Sequence, residues 1–403
     1  MRILTFLHSF EPGGVERVAL RLVRRWRALG VEAPLFLGRD EGALHDELAH
    51  DLAFTLPRKT GWWSRPLETL WMIGRLPAEI RRTRPEILFC SGNTYTVVCV
   101  VTKFMMGDEC PPILAKISND LDRPDLPQVV RAFHRLWARI QARHIDAWVV
   151  MHPAMRREVE QTIGPVQLSV IPDPALTEAQ LATLRKWRPR TDARPGRRFV
   201  AVGRLVSQKN YPLMLQAFAH GAAPTDTLTI YGEGPDRRAL EQLSATLGIS
   251  DRLALPGHVH HAAECLLDRD VLLLSSRYEG VPAALVEGLA CGMPIIATDC
   301  GAGVRGLMGD YDRVTFVDND DADAFTNAIR AASAAPTSEA HPSPIPESFT
   351  IEAGARDYLA AFATTIRVHS CEVIVHDEPA FAMLSGNPTP QPERVPARSL
   401  ADQ

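Results

Sequence analysis

Short apolar runs recur along the chain, separated by stretches of helical period. Residues 3–7, 33–37, 86–90, 113–117, 147–151 and 168–171 are each too brief for a helix and suit buried parallel strands. After the first run come the turn residues 11–17, then Val15, Val18, Leu22, Trp26 and Leu29 at the spacing of a helix core stripe. A second series of runs starts at 198–205 and continues at 228–235, 255–259, 271–274 and 295–299. Strands alternating with helices predict an α/β protein with two Rossmann-like domains. The first takes residues 1–174 and the second 197–350. Between them, 175–196 turns polar and proline-bearing around a helical piece at 178–187, which reads as a hinge. A final helix is expected over 351–367. Residues 371–403 carry Pro379, Pro388, Pro390, Pro392 and Pro396 with little apolar period, the composition of a disordered tail.

The densest chemistry lies in 271–294. A buried strand, Val271 to Leu274, runs into a turn, and Pro282 suits the first turn of a helix that Gly292 stops. Such a turn aims free N–H groups and the positive end of the helix out of the carboxyl edge of a sheet, where a diphosphate can bind. Glu279 in the turn and Glu287 in the helix flank that position. By themselves they also fit blander roles, one favouring the helix dipole and the other lying on a solvated face. Arg204 and Lys209, in the strand-end loop that follows Gly203, supply cations able to converge on phosphate oxygens, though single basic residues are usually surface charges. Gly13 and Gly14 let backbone approach a ligand closely, and a lone glycine pair is a weak signal.

Composition narrows the classes. The chain has 403 residues, 46% of them hydrophobic, with net charge −4 and pI about 6.4, which argues against a nucleic-acid partner. Residues 1–174 hold 23 basic and 20 acidic side chains and the remainder 21 and 28, a mild asymmetry. Seven cysteines form no CxxC pair and read as reduced thiols of a cytoplasmic protein. The first nine residues are too short for a signal-peptide core, and no run approaches a membrane span, so any membrane association is expected to be peripheral. Tyr231-Gly232-Glu233-Gly234-Pro235 lacks the third glycine of a dinucleotide fingerprint. His258, His260 and His261 have no accompanying ligand set, so no metal is expected. Two arginine rows stand out: Arg17, Arg21, Arg24, Arg25 and Arg27 on the first helix, and Arg131, Arg135, Arg139 and Arg143 at four-residue steps on a later one. They read as solvated faces or as contacts to anionic lipid. Trp62, Trp63 and Trp71 are candidates for a core, an acceptor or an interface.

The run Glu279-Gly280-Val281-Pro282 through Glu287 to Gly292-Met293-Pro294 resembles the E-x7-E motif of the retaining family-4 glycosyltransferases, and Gly203-Arg204-Leu205 with Lys209-Asn210 resembles their donor-phosphate motif. The resemblance covers most of residues 1–366. It implies the GT-B fold, two Rossmann-like domains facing across a cleft, and a nucleoside-diphosphate-sugar donor. No cofactor is required in this picture, and the acceptor is a saccharide or a lipid-linked saccharide of bacterial cell-surface polysaccharide synthesis. By resemblance, Glu279 lies beside the donor sugar and Glu287 on the ribose, with Gly280, Val281 and Pro282 in the donor loop. Gly13 and Gly14 lie across the cleft. Many relatives carry a histidine near the donor sugar where this chain has Lys116-Ile117-Ser118-Asn119-Asp120, and Asn119 is the substitute. Alternatives are a catalytically silent partner-binding subunit and a sugar-nucleotide 2-epimerase.

Overall fold

The computed structural model describes residues 1–11, 13–42, 44–45, 52–56, 68–119, 121, 127–188, 195–259, 263–309, 311–335 and 345–376. The apolar runs form strands whose residues are largely buried on both faces, as parallel strands sheathed by helices require. The first sheet holds β1 Ile3–Leu7, β2 Leu35–Leu37, β3 Ile87–Cys90, β4 Ile113–Lys116, β5 Ala147–Val150 and β6 Leu168–Val170, in the order β2-β1-β3-β4-β5-β6. The second holds β7 Arg198–Val202, β8 Thr227–Tyr231, β9 Leu253–Gly257, β10 Val271–Leu274, β11 Ile295–Thr298 and β12 Val314–Val317, in the order β12-β11-β10-β7-β8-β9. Every pairing is parallel. The chain is an α/β protein of two Rossmann-like sheets, in agreement with the fold class read from the run pattern.

The helices are α1 Gly14–Ala28, α2 Glu68–Thr83, α3 Thr96–Met106, α4 Gln128–His144, α5 Pro153–Ile163, α6 Glu178–Leu184, α7 Tyr211–Gly221, α8 Arg237–Thr246, α9 Ala283–Cys291, α10 Ala302–Met308, α11 Ala322–Ala334 and α12 Ile351–His376. Two of these differ from the sequence reading. α2, around Trp71, fills a section for which no element was expected and tolerates an internal Pro77, which is buried. α12 runs past residue 367 and through the start assigned to the tail, because no helix breaker occurs before Pro379. Residues 377–403, and with them the rest of that tail, lie outside the described residues, as do Trp62 and Trp63. Trp71 lies beneath the Arg75 guanidinium, 4.6 Å from its ring centre.

Two chain crossings join the sheets, and they are bonded to each other. Leu176 pairs with Thr350 in a parallel bridge, with Leu176 N–H donating to Phe349 O at 3.3 Å and Ile351 N–H to Leu176 O at 2.7 Å. Beside them, Lys116 at the end of β4 makes a buried ion pair with Asp173. α12 packs on α1 of the first sheet's layer. The Trp26 indole donates to Ala355 O at 3.1 Å, and Trp26, Phe89, Tyr358 and Phe362 form an aromatic cluster with centroids 5.3–6.3 Å apart, edge-to-face except for the tilted Tyr358–Phe362 pair. The α1 arginines face inward: Arg21 donates to Ala175 O at 3.1 Å and Arg27 to Ala33 O at 2.7 Å, so this row is not a solvated face. Among the described residues no helix is long and apolar enough to cross a membrane.

Candidate active site

The carboxyl ends of β7, β8 and β10 carry three loops that lock together. A Cβ on Gly232 would strike Gly203 O, and one on Gly234 would strike Leu205 O, so only glycine permits the loop after β8 to lie against the loop after β7. The β7 loop closes in a 3-10 turn, Ser207–Lys209, and Asn210 then takes φ 49°, a left-handed conformation asparagine tolerates, to start α7. The β10 loop is bonded to that turn. Arg277 N–H donates to Gln208 O at 2.8 Å, Gln208 Nε2 to Tyr278 O at 2.9 Å, and Ser275 Oγ to Lys209 O at 2.7 Å. From the other side, Glu279 N–H donates to Cys300 O at 2.9 Å and Thr298 Oγ1 to Ser276 O at 2.6 Å.

This framework brings Lys209 and Glu279 together: Lys209 Nζ donates to Glu279 Oε1 at 2.5 Å, with Glu279 only 7% exposed. Tyr211 lies beneath, its hydroxyl 2.9 Å from where a Gly203 Cβ would stand, and burial plus the Glu279 charge raise its pKa. The Arg204 side chain is exposed and makes no hydrogen bond or ion pair among the described residues. A cation without a protein partner is available to an anion. α9 begins at Ala283, and Pro282 is its N-cap rather than its first helical residue; no side chain caps the first turn. Gly280 and Val281 precede it in the turn, both buried.

Glu287 is not on a solvated face. It is 5% exposed, and burial pushes its carboxyl up to about 7, against the opposing influence of Arg17 and Arg21 of α1. The second glutamate therefore lies within the field of cations from the other sheet's layer.

Across from these loops, the carboxyl ends of β1, β3 and β4 meet. A Cβ on Gly280 would collide with Ser118 O and Met151, so the turn before α9 touches the first domain directly. Asn93 holds the segment it touches: Asn93 Oδ1 accepts from Ser118 N–H at 2.8 Å and Nδ2 donates to Asn119 O at 3.1 Å. Asn119 is half-buried at this edge. Gly13 is the N-cap of α1 and Gly14 its first residue. The carboxylate of Glu16 folds back over Gly13 and accepts from Tyr95 OH at 2.7 Å. Tyr95 meets the His8 ring edge-to-face at 4.7 Å, and burial lowers the His8 pKa. The sequence reading had singled out none of His8, Glu16, Asn93 and Tyr95. Glu16, three residues past the N-cap glycine, carried a weak signal, whereas Asn93 and Tyr95 sit on a loop whose partner strand is remote in sequence. Among the described residues no three His, Cys, Asp or Glu side chains gather as a metal site; His260 and His261 lie outside them.

Comparison with known proteins adds a lineage to this geometry. The sequence profile "Glycosyl transferases group 1" matches residues 185–343, and "Glycosyltransferase Family 4" matches residues 12–178. The chain is 30% identical over 130 residues to the lipopolysaccharide core biosynthesis glycosyltransferase LpsE of Rhizobium meliloti, covering 32% of this chain and 37% of that protein. It is 29% identical over 195 residues to an exopolysaccharide phosphotransferase of Streptomyces coelicolor, covering 47% of this chain and 20% of that protein. The matches thus span well under two thirds of these relatives. In structure it resembles Anabaena HepE in complex with UDP and glucose, with TM-score 0.62 and 17% identity over 93% of this chain and 99% of that one. It also resembles a sucrose-phosphate synthase from Thermosynechococcus elongatus, with TM-score 0.66 and 17% identity over 93% and 99%.

Proposed function

Since the chain belongs to the group 1 glycosyltransferases of the GT-B fold, we propose that it moves a glycosyl group from a nucleoside-diphosphate sugar to a saccharide or lipid-linked acceptor. The pathway in this reading is bacterial cell-surface polysaccharide synthesis, which the name of the Rhizobium relative supports. The observation that carries the reading is the Lys209–Glu279 contact at 2.5 Å, set between the uncapped start of α9 and the unpartnered Arg204.

The chemistry asks for two kinds of stabilisation. A departing diphosphate gathers negative charge, and Arg204, Lys209 and the α9 N–H groups answer it as preorganised donors. An oxocarbenium-like sugar gathers positive charge, and Glu279 lies where a carboxylate can orient and stabilise it. The anomeric carbon–phosphate oxygen bond breaks and the acceptor oxygen bonds to the same face, so configuration is retained. The acceptor proton passes to the departing phosphate oxygen, and Glu279 serves as a positioning carboxylate rather than a nucleophile. Glu287, once ionised, accepts from the ribose hydroxyls. Asn119, held by Asn93, faces the donor sugar, and Gly14, with nothing within 4 Å of its Cβ position, admits it closely from the other domain, whereas Gly13 is covered by the Glu16 carboxylate. No cofactor enters this scheme.

Thermal stabilisation by a panel of UDP-, GDP- and ADP-sugars tests the reading, with Arg204→Ala and Glu287→Ala beside the wild type. One nucleotide class should raise the melting temperature of the wild type and of neither variant. No shift with any donor, in protein shown to be folded, sinks the donor site and favours a partner-binding subunit. A bound donor that is isomerised without transfer favours the 2-epimerase.

A further inference from the structure

A helix following a parallel strand starts at that strand's carboxyl end, so α4, which comes after β4, begins on the cleft side of the first domain and runs away from it. Its seventeen residues extend roughly 25 Å at 1.5 Å per residue, and they contain four arginines and no acidic side chain. Helical spacing puts Val129, Phe133 and Leu136 on one stripe, with Arg135, Arg139 and Arg143 along its flank. The stripe faces outward: Val129 and Phe133 are each 69% exposed and Leu136 55%. At the distal end Phe104 and Met105 of α3 extend it, with Phe104 79% exposed and 6.1 Å from the His144 ring. Five of the twelve exposed large hydrophobic side chains among the described residues lie in this one patch. An apolar cluster of that kind marks an interaction surface.

We infer that this face docks on an anionic phospholipid bilayer, with Phe133 and Leu136 entering the interface and Arg139 and Arg143 meeting the headgroups. Charge complementarity selects the occupant. The ridge is convex and apolar with cations beside it, which matches a surface that is anionic outside and apolar within. Arg139 spends one N–H on Thr162 O at 3.3 Å, and its remaining donors stay available to a headgroup. The α1 row, turned inward, takes no part. Because α4 starts at the cleft edge, the apolar half of the stripe lies nearest the mouth through which an acceptor enters. The inference does not rest on the transfer reading, and loss of donor binding leaves it intact.

Sedimentation of the full chain with phosphatidylcholine vesicles, with and without phosphatidylglycerol, tests it at low and high salt. The wild type should bind the anionic vesicles at low salt and release with added salt. Each arginine near the surface contributes roughly fivefold in partitioning, so replacing Arg139 and Arg143 by Gln should cost roughly twenty-five-fold. The pair Phe133→Ser and Leu136→Ser should weaken binding roughly tenfold or more while leaving the melting temperature unchanged, since both side chains are exposed. A wild type that stays in the supernatant with anionic vesicles overturns the inference. So do variants that bind as the wild type does. A dimer in sedimentation velocity that the serine pair converts to monomer, with vesicle binding unaltered, would make the face a contact between two copies and equally overturn it.

Discussion

Replacing Glu287 by Gln should make the protein more stable at pH 8 and leave it unchanged at pH 5. In the folded chain burial pushes this carboxyl from its usual 4.5 up to about 7. A raised folded value means that between those two pH values the folded state keeps a proton that the unfolded state has released, so stability falls as pH rises. The contribution is fully present below pH 4.5 and is lost through pH 7. At about 1.4 kcal/mol per pH unit, the interval amounts to roughly 3 kcal/mol. For a domain of this size that corresponds to roughly 5–10 °C in melting temperature. Gln keeps the shape and cannot ionise. Melting curves of wild type and E287Q between pH 5 and 8 should therefore coincide at the acid end and separate at the alkaline end, with E287Q higher. Binding supplies the other half of the test. If ribose hydroxyls are held by the ionised carboxylate, nucleoside-diphosphate affinity in the wild type climbs with pH up to about 7 and then levels, while E287Q binds weakly with no such climb. Parallel melting curves for the two proteins would refute the reasoning, because a group with no pH slope of its own is not a buried carboxyl poised to ionise.

Arg204→Ala should leave the melting temperature within about 1 °C, since an exposed unpartnered side chain contributes little to stability, yet weaken nucleotide binding roughly tenfold or more by titration calorimetry. Lys209→Ala should lose binding and also destabilise the protein, because it strands Glu279 at 7% exposure without its cation; equal melting temperatures for Lys209→Ala and wild type would contradict that contact. Asp173→Ala leaves Lys116 buried and unpaired and should cost roughly 3–5 kcal/mol in denaturant unfolding. Gly280→Ala drives a methyl group into Ser118 O and Met151, so transfer should fall steeply with little change in donor affinity, read as turnover against the dissociation constant.

Much of this was legible beforehand, for identifiable reasons. Buried parallel strands are nearly pure apolar runs, so eleven of the twelve strands among the described residues appeared as such. β12 was missed because it is an edge strand with outward Thr315 and Phe316, which weakens the run. The loops after β7 and β10 were legible because tight strand-to-helix turns need glycine and proline at set positions. What could not be read was pairing across long separations. Nothing near Glu287 in sequence announces Arg17 and Arg21, and nothing near Ser118 announces Asn93. On α4 only the four-residue steps of arginine stood out, and periodicity alone does not say whether the apolar stripe beside them faces a core or the outside. Only the packing of Ala138 and Gln141 inward turned that stripe outward.

The seating of Tyr358 and Phe362 against Trp26 and Phe89 also sets an order of events during synthesis. The first domain's own strands are complete by residue 170, yet its core still lacks two aromatic rings made about 190 residues later. At roughly 5–20 residues per second, that interval lasts on the order of 10–40 s. Through it Trp26 and Phe89 wait without the lid that α12 provides, and the intervening domain can fold first. The earliest part of the chain to be made is thus among the last to be finished, and the nascent protein spends that time with an apolar socket open to chaperones or to another chain.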